Sequence, residues 1–227
     1  MRAVGLTRVY RIQAREVHAL RGVDLEIPAG YFVALRGPSG SGKTTPINCI
    51  GGLDRPTGGE VYLEGQRLSE LSEEELTRLR RDRLGFVFQS FALLPTYSAY
   101  ENVELPLRMQ SVPPRERHAR VMRALTAVGL RHWADHRSYE MSGGQQQRVG
   151  IARALVTRPT LILADEPTGE LDSETARQIF ALFQRIVEQE HVTVITATHD
   201  PLVDDYATLI FELRDGQIVG KAGTAGR

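Results

Sequence analysis

The stretch that most constrains the fold is a loop with the pattern G-x-x-x-x-G-K-[ST], made up of Gly37, Pro38, Ser39, Gly40, Ser41, Gly42, Lys43 and Thr44. The apolar run 32–35 before it predicts a strand, and residues 45–50 after it, beginning with Thr45, predict a helix. Glycines let the backbone fold around phosphates, and a helix start adds partial positive charge. Lys43 can reach the β- and γ-phosphates, and the Thr44 hydroxyl can ligate Mg²⁺. The loop therefore predicts a bound nucleoside triphosphate. A turn that carries a chance lysine is the weaker interpretation.

The remaining apolar pattern predicts an α/β fold. Nearly continuous apolar runs at 32–35, 161–164 and 192–196 are typical of strands buried on both faces of a parallel sheet. Residues 173–188 have apolar side chains at helical spacing behind a cap at Asp172 or Ser173, which completes a βαβ unit. Residues 17–27 and 60–63 predict a small antiparallel sheet beside the parallel one.

The middle of the chain has a different, helical pattern. Ser72 and Ser98 are each followed three residues later by a glutamate, and such capping boxes predict helix starts. Residues 90–156 are mostly helical in pattern and interrupt the α/β core. We therefore predict a single domain, 1–227, with a core at 1–89 and 157–227 and an inserted helical subdomain at 90–156. Residues 209–219 predict a closing hairpin.

Composition limits the function classes. Lysine plus arginine equals aspartate plus glutamate, 28 each, so no net field attracts the chain to nucleic acid or anionic lipid. The single cysteine, Cys49, excludes an internal disulfide and fits a reducing compartment. No apolar run approaches the roughly 20 residues of a membrane span, and the start of the chain lacks the apolar core of a signal peptide. We expect a soluble, cytoplasmic chain that needs a partner for any membrane role.

Two adjacent carboxylates follow the apolar run 161–164, at the strand end where α/β sheets bind ligands. Asp165 is suited to hold a Mg²⁺ shell, and Glu166 to polarise a water in line with the γ-phosphate. Adjacent acids repel unless a cation lies between them, so a purely structural role for both is the weaker interpretation.

Residues 141–148, with the sequence MSGGQQQR, are similar to the signature sequence of ABC-type ATPases, and essentially the whole chain resembles that family. The resemblance implies the α/β fold of P-loop NTPases: a RecA-like parallel-sheet core, a small antiparallel β-subdomain and an inserted helical subdomain. It implies hydrolysis of ATP, with Glu166, His199 and Gln89 as catalytic residues and Tyr10 stacking on adenine. It also implies Mg²⁺ held by Thr44, Gln89 and Asp165.

The start of the predicted helix at Ser142 offers a second anion site, because its serine hydroxyl and the N–H groups there are free to bind. The family resemblance implies a head-to-tail homodimer or pseudo-dimer with two ATP molecules, each held by the Lys43 loop of one chain. The other chain contributes residues in trans, namely Ser142, Gly143, Gly144, Gln145 and Asp172. Taken alone, several of these residues have plainer roles: Ser142 or Asp172 as a helix cap, His199 in a turn, Tyr10 in the core and Gln89 on the surface.

Residues 51–57 (GGLDRPT), 85–89 and 101–107 look like the branch of ABC ATPases that serves lipoprotein release, macrolide export and cell-division transporter-like complexes. That resemblance implies a separate transmembrane permease, contacted from Ser90 to Glu101, and a peripheral position on the inner face of the membrane. An ABC importer, for example of amino acids, remains an alternative, and a soluble non-transport ABC ATPase is a lesser one. No nucleic acid partner is expected, and the transported substrate cannot be read from this sequence.

Four departures from the family pattern stand out. Met141 replaces a leucine, which is a mild change, and Tyr97-Ser98 replaces a leucine-threonine pair in the region expected to contact the permease. Pro46 replaces a leucine in the predicted helix after the loop, where proline removes an N–H and crowds the preceding turn, so Pro46→Leu is expected to raise stability. Glu170 stands where asparagine is common and adds a negative charge near the expected dimer interface. It is expected to weaken dimerisation relative to Glu170→Asn.

Overall fold

The computed structural model of the chain describes residues 1–13 and 15–223, without the side chain of Ile12. Ala14 and the last four residues of the predicted core range 157–227 lie outside the described residues. The strands are β1 (Arg2–Ile12), β2 (Arg15–Glu26), β3 (Phe32–Arg36), β4 (Gly58–Leu63), β5 (Gln66–Arg67), β6 (Leu84–Phe88), β7 (Leu161–Asp165), β8 (Thr193–Thr198), β9 (Leu209–Arg214) and β10 (Gln217–Gly223). The α-helices are α1 (Thr44–Ile50), α2 (Glu73–Arg83), α3 (Ala99–Met109), α4 (Pro114–Ala127), α5 (Gly143–Leu155) and α6 (Ser173–Glu190).

The strands form two sheets. The larger has the order β10-β9-β3-β8-β7-β6, in which β9, β3, β8, β7 and β6 pair in parallel and β10 closes one edge as an antiparallel hairpin with β9. The smaller is antiparallel, with the order β2-β1-β4-β5. The predicted parallel core, the neighbouring antiparallel sheet and the closing hairpin are confirmed.

The larger sheet is buried on both faces, which explains its continuous apolar runs. Alternate residues of β3 point into two different cores because successive side chains of a strand face opposite ways. Phe32 and Ala34 pack in a cluster with residues of α3, α4, α5 and α6. Val33 and Leu35 pack in a second cluster with residues of α1, α2 and the antiparallel sheet. The two layers hold the strands rigidly from both sides, and the strand ends are correspondingly well positioned.

Four parallel strands end at the same edge of the sheet, and this edge carries the residues singled out in the sequence. The glycine-rich loop follows β3, Gln89 follows β6, Glu166 follows β7 and His199 follows β8. Because these strands are adjacent and in register, side chains that are far apart in sequence are brought together here.

Several local details differ from the sequence predictions. The long strand β1 was not predicted. The strand predicted at 192–196 is Thr193–Thr198, and the helix predicted at 173–188 continues to Glu190. Both capping boxes, at Ser72 and Ser98, are confirmed. The helices α3, α4 and α5 lie within 90–156, whose separation as a subdomain stays a prediction.

Pro46 does not have the cost that the sequence suggested. It is the third residue of α1, in the first turn, where a backbone N–H has no partner within the helix. The carbonyl of Gly42 accepts instead from the N–H of Thr45, at 3.2 Å. The structure therefore removes the reason to expect that Pro46→Leu raises stability.

Candidate active site

The glycine-rich loop between β3 and α1 is tightly folded. Gly42 has φ of +95°, and a Cβ there would lie 2.5 Å from the carbonyl oxygen of Ala19, so only glycine fits. Lys43 is the N-cap residue of α1; its side chain is only 5% exposed, and its Nζ donates to the carbonyl of Pro38 at 3.0 Å. The buried Ser41 hydroxyl has no hydrogen-bond partner among the described residues. The loop thus holds a lysine ammonium and unsatisfied donors around a small concavity, as an anion requires.

A cleft of about 640 Å³ opens directly above this loop. Its lining combines the loop, Glu166, one stretch of β2 and the turn of the closing hairpin: Val17, His18, Ala19, Arg21, Ser39, Gly40, Gly42, Lys43, Thr44, Thr45, Glu166, Asp215 and Gly216. The size is in the range of small-molecule sites, and the polar lining suits a charged ligand.

The two adjacent carboxylates point in different directions. Asp165 Oδ1 accepts a hydrogen bond from the Thr44 hydroxyl at 2.9 Å. Glu166 Oε1 lies 3.4 Å from Lys43 Nζ, and its Oε2 lies 2.9 Å from Nδ1 of His199. Lys43 is therefore a cation beside these two carboxylates, as their adjacency in the sequence led us to expect. Burial raises the pKa of the Asp165 carboxyl above its usual range; the charge of Glu166 adds to this, while the Thr44 hydrogen bond and Lys43 oppose it.

The backbone turn at Glu166 separates the two carboxylates. Its φ is +46°, a left-handed conformation that a residue with a Cβ adopts at a cost of about 1–2 kcal/mol. The N–H of Glu166 donates to the carbonyl of Ala197 at 2.8 Å, and its carbonyl accepts from Gly169 at 3.0 Å, so the turn is held on both sides. The N–H of His199 also donates to Glu166 Oε2, at 3.3 Å. Such strain, held at a cleft by its surroundings, is typical of functional residues.

Gln89 packs against the segment that follows Glu166. A Cβ placed on Gly169 would lie 3.0 Å from Nε2, 3.1 Å from Cδ and 3.3 Å from Cγ of Gln89. A residue larger than glycine at position 169 would therefore displace the exposed Gln89 side chain by a few tenths of an ångström. The contact places Gln89 beside the segment that follows Glu166, although Gln89 is not among the residues that line the cleft.

The residues expected to act in trans form a second group. Ser142 caps α5, accepting from the N–H of Gln145 at 3.3 Å, while Gln145 accepts from the N–H of Ser142 at 2.9 Å. A Cβ on Gly144 would lie 2.5 Å from Thr175 Cγ2 of α6. Asp172 caps α6 and also accepts from the Thr175 hydroxyl, a bond that lowers the pKa of Asp172. The starts of α5 and α6 thus lie together, and neither contributes to the lining of the Lys43 cleft.

Tyr10 lies beside the glycine-rich loop rather than in the lining of the cleft. Its hydroxyl donates to Asp54 Oδ2 at 2.6 Å, and the guanidinium of Arg8 covers one ring face at 4.5 Å. Arg8 also binds both carboxylate oxygens of Asp54. Burial, then the Asp54 hydrogen bond, raise the pKa of Tyr10, while Arg8 and the Thr45 side chain oppose them. The ring is held rigidly next to Thr45.

The sequence predicted the hairpin turn at Gly216 but not that this turn closes the cleft. Gly216 donates its N–H to the carbonyl of Ser41 at 3.0 Å and accepts from the N–H of Arg21 at 2.9 Å. This turn therefore ties β2 to the glycine-rich loop and brings Asp215 and His18 to the cleft. No local signal in the sequence marks this contact, because its parts are more than 170 residues apart. Only the turn itself was predicted.

The described residues contain neither a cluster of metal-binding side chains nor a membrane-spanning helix. Within 1–13 and 15–223, no three or more histidine, cysteine, aspartate or glutamate side chains are grouped as a metal cage. The same residues contain no helix with the length and apolar character needed to cross a bilayer.

The fold and the site define a class of protein. A glycine-rich phosphate loop after β3, paired acids after β7 at the same sheet edge and a helix opening with Ser142-Gly143-Gly144 together define an ATP-binding cassette. The family model described as ABC transporter matches residues 20–169, and the chain belongs to this family. Within it, the chain is an ATPase of the ABC type.

The proteins to which this chain is similar are also ABC ATP-binding proteins. The chain is 45% identical over 217 residues to the ABC transporter ATP-binding protein MJ0796 of Methanocaldococcus jannaschii, covering 94% of this chain and 92% of the relative. It is 46% identical over 223 residues to the macrolide export ATP-binding/permease protein MacB of Syntrophobacter fumaroxidans, covering 97% of this chain but only 31% of MacB. A solved dimer of MJ0796 in a post-hydrolysis state, bound to ADP and Pi, superposes with a TM-score of 0.90 at 42% identity, covering 100% of this chain and 99% of that one. The predicted family, fold class and branch are confirmed.

Proposed function

We propose that this chain hydrolyses ATP as one half of a dimer that drives a separate membrane permease, in an export or extraction system. The observation that carries the proposal is the separation of two anion sites on one chain. Lys43, Glu166 and His199 converge on one cleft, whereas the start of α5 at Ser142 lies outside its lining. Two copies arranged head to tail would complete each cleft with the Ser142 end of the other copy, and a two-fold arrangement closes at two copies.

The residues of the cleft have distinct roles in this proposal. Lys43 binds the β- and γ-phosphates; it exchanges its contact with Glu166 for phosphate oxygens when ATP binds. Glu166 is then free to orient a water against the γ-phosphate, and His199 holds the carboxylate through the 2.9 Å contact. Tyr10, fixed by Asp54, stacks on the adenine beside Thr45. Hydrolysis in such a site depends more on positioning and charge than on a strong base.

The oxygen donors at the end of β7 fit a magnesium ion. The Thr44 hydroxyl and Asp165 Oδ1 are in contact and suit Mg²⁺; Gln89, the third ligand expected from the sequence, lies against Gly169 in the segment that follows Glu166. A magnesium ion held there would supply positive charge against the phosphate oxygens.

A permease contact from Ser90 to Glu101 is supported by an apolar groove of about 530 Å³ beside this segment. Ala92, Phe88, Leu53 and Met109 line it, and the last three are among the exposed large apolar residues, as is nearby Leu94. Exposed apolar patches of this kind mark protein interfaces. The export role rests on relatives that are export proteins, such as MacB, of which this chain matches about a third. The proposal implies a peripheral position on the inner face of the membrane.

Glu166→Gln tests the proposal, with the exposed Glu188→Gln of α6 as the matched control. Glu166→Gln should bind ATP, accumulate as a dimer on gel filtration and release almost no phosphate, because ATP stays trapped between the copies. Glu188→Gln should behave as wild type.

A second substitution tests the composite site. Introducing Ser142→Arg into Glu166→Gln should abolish ATP-driven dimerisation while each chain still binds ATP at its own Lys43. Wild-type phosphate release by Glu166→Gln would refute its catalytic role. A dimer that persists with Ser142→Arg would refute the head-to-tail arrangement.

A further inference from the structure

Gln89 and Glu166 lie just beyond the paired part of strands β6 and β7. The two strands pair in parallel as far as Phe88 and Asp165, which are opposite one another. Gln89 and Glu166 are the next residue on each strand, so the ladder between β6 and β7 does not join them directly. Contacts beyond the ladder, such as that of Gln89 with Gly169, are therefore needed to hold these two residues in place.

A side chain of α5 bridges the two strand ends at this point. Gln147 is fully buried, and its Nε2 donates to the carbonyl of Pro167 at 2.7 Å and of Phe88 at 3.3 Å. The Phe88 carbonyl belongs to the peptide group that leads into Gln89, and Pro167 directly follows Glu166. A primary amide has two hydrogens to donate, so one nitrogen can serve both carbonyls.

The contribution of Gln147 to stability does not explain why an amide is buried here. The Oε1 atom of Gln147 is buried without a hydrogen-bond partner among the described residues. A buried acceptor left unpaired costs folding free energy that an apolar side chain of similar length, such as methionine, would avoid. The two carbonyls can accept only from the amide nitrogen, which fixes the orientation of the group. The amide is therefore better explained by what it holds in place than by what it adds to stability.

A second side chain of α5 attaches the segment after Gln89. Arg153, six residues beyond Gln147, donates to the carbonyls of Ala92 at 2.6 Å and Phe91 at 3.1 Å. Phe91 and Ala92 both have left-handed backbones, with φ of 61° and 50°. Between the two side chains, a Cβ on Gly150 would lie 3.4 Å from the Phe91 carbonyl, so the loop runs against the helix.

We propose that Gln147 is a positioning residue for hydrolysis: it sets the spacing of Gln89 and Glu166, and with Arg153 it makes the Gln89 segment move together with α5. The inference rests on the catalytic roles proposed above for Gln89 and Glu166. Because α5 begins at Ser142, the helix that would engage nucleotide bound to the other copy also holds the hydrolytic residues of its own copy.

Gln147→Met and Gln147→Glu test the proposal in the purified full chain. Both remove donors from the Phe88 and Pro167 carbonyls, whereas the control Gln146→Met alters a neighbouring glutamine whose amide donates to the carbonyl of Met141. For Gln147→Met, kcat for phosphate release should fall about 10- to 100-fold, because displacements near 1 Å cost up to about 100-fold in rate. The KM of Gln147→Met for ATP should stay within about twofold of wild type, because substrate binding is intact. The kcat of the control Gln146→Met should also stay within about twofold of wild type.

Gln147→Glu adds a readout that a purely structural role would not move. Its carboxylate repels both carbonyls, but the protonated acid can donate one hydrogen bond, so kcat relative to wild type should recover as the pH falls. Glutamate has nearly the size of glutamine. Gln147→Glu therefore still tests the proposal if Gln147→Met does not fold.

Folded Gln147 variants with wild-type kcat, or a Gln147→Glu defect independent of pH, would overturn the inference. Glu166→Gln is assayed in parallel. If Glu166→Gln is inactive while the Gln147 variants are active, the inference fails and the proposed function stands; if Glu166→Gln is itself active, the proposed function fails.

Discussion

Gly169→Ala is the sharpest test of how Gln89 is positioned. The added methyl would meet three atoms of the Gln89 side chain at 3.0–3.3 Å. Carbon contacts are comfortable from about 3.5 Å, so Gln89 must retreat by a few tenths of an ångström, up to about 0.5 Å. If 1 Å of misplacement costs up to about 100-fold, this retreat should cost about tenfold in kcat, or about 1.4 kcal/mol in the activation barrier.

Stability should change little in the same variant. Gly169 is absent from the positive-φ glycines of the described residues, so alanine meets no backbone strain there. Replacing such a glycine stabilises by about 0.4–1 kcal/mol through the unfolded chain, which offsets the displacement of the exposed Gln89 side chain. A fall in kcat without a fall in melting temperature therefore separates a positioning effect from a folding defect.

The assay is phosphate release under saturating ATP, with melting followed by circular dichroism. Gly220→Ala in the closing hairpin is the matched control, because its Cβ would lie 3.4 Å from the flexible Glu212 carboxylate and Gly220 does not line the cleft. Wild-type kcat in Gly169→Ala, with the protein folded, would refute the claim that the Gln89 contact sets the rate.

Three other predictions concern stability, reactivity and nucleotide affinity. Glu104→Ala breaks a buried carboxylate paired with Arg117 and Arg108 and should cost about 3 kcal/mol, lowering the melting temperature by about 6–12 °C. Burial raises the pKa of Glu104, but the hydrogen bonds from the two arginines outweigh burial and hold the pKa below its usual range. The stabilisation is therefore present above the unfolded carboxyl pKa of about 4.3 and is lost as the pH falls through the lower folded pKa. The melting temperatures of the wild type and of Glu104→Ala should converge in acid. Burial raises the pKa of the Cys49 thiol to about 12, so a thiol-specific disulfide reagent at pH 8 should label it only after unfolding, and rapid labelling of the native protein would contradict the packing around it. Tyr10→Ala should weaken binding of a fluorescent ATP analogue about fivefold by loss of about 1 kcal/mol of stacking, while Tyr10→Phe should bind nearly as wild type, and equal affinities for all three would remove adenine stacking from the site.

What the sequence predicted well are features whose signals are local. The glycine-rich loop, the cap at Asp172 and the capping boxes at Ser72 and Ser98 each depend on fewer than ten consecutive residues. Resemblance to the ABC family then related these local features to one another, including His199 after β8. The shared strand edge explains why this worked, because residues that follow neighbouring parallel strands must meet there.

Strand β1 escaped prediction for a physical reason. Its pairing with β2 shifts register after Ala3, after Leu6 and after Arg8, and Gly5 has φ of +56°. Each bulge moves the following side chains to the other face, so the two-residue alternation that reveals a strand is broken. The hairpin turn at Gly216 was predicted, but its contact with Ser41 depends on the completed fold.

The backbone turn at Glu166 connects the two groups of site residues in a way that sequence could not reveal. Its left-handed φ sends the carboxylate toward Lys43 and His199 while Asp165 stays on Thr44. The same turn brings the following carbonyl, that of Pro167, to the amide of Gln147 on α5. A movement of α5 relative to the sheet would then displace this turn first and, through it, the Glu166 carboxylate. The strain at Glu166 and the unpaired oxygen of Gln147 are therefore two costs of one arrangement, in which the helix that begins at Ser142 controls the geometry of hydrolysis.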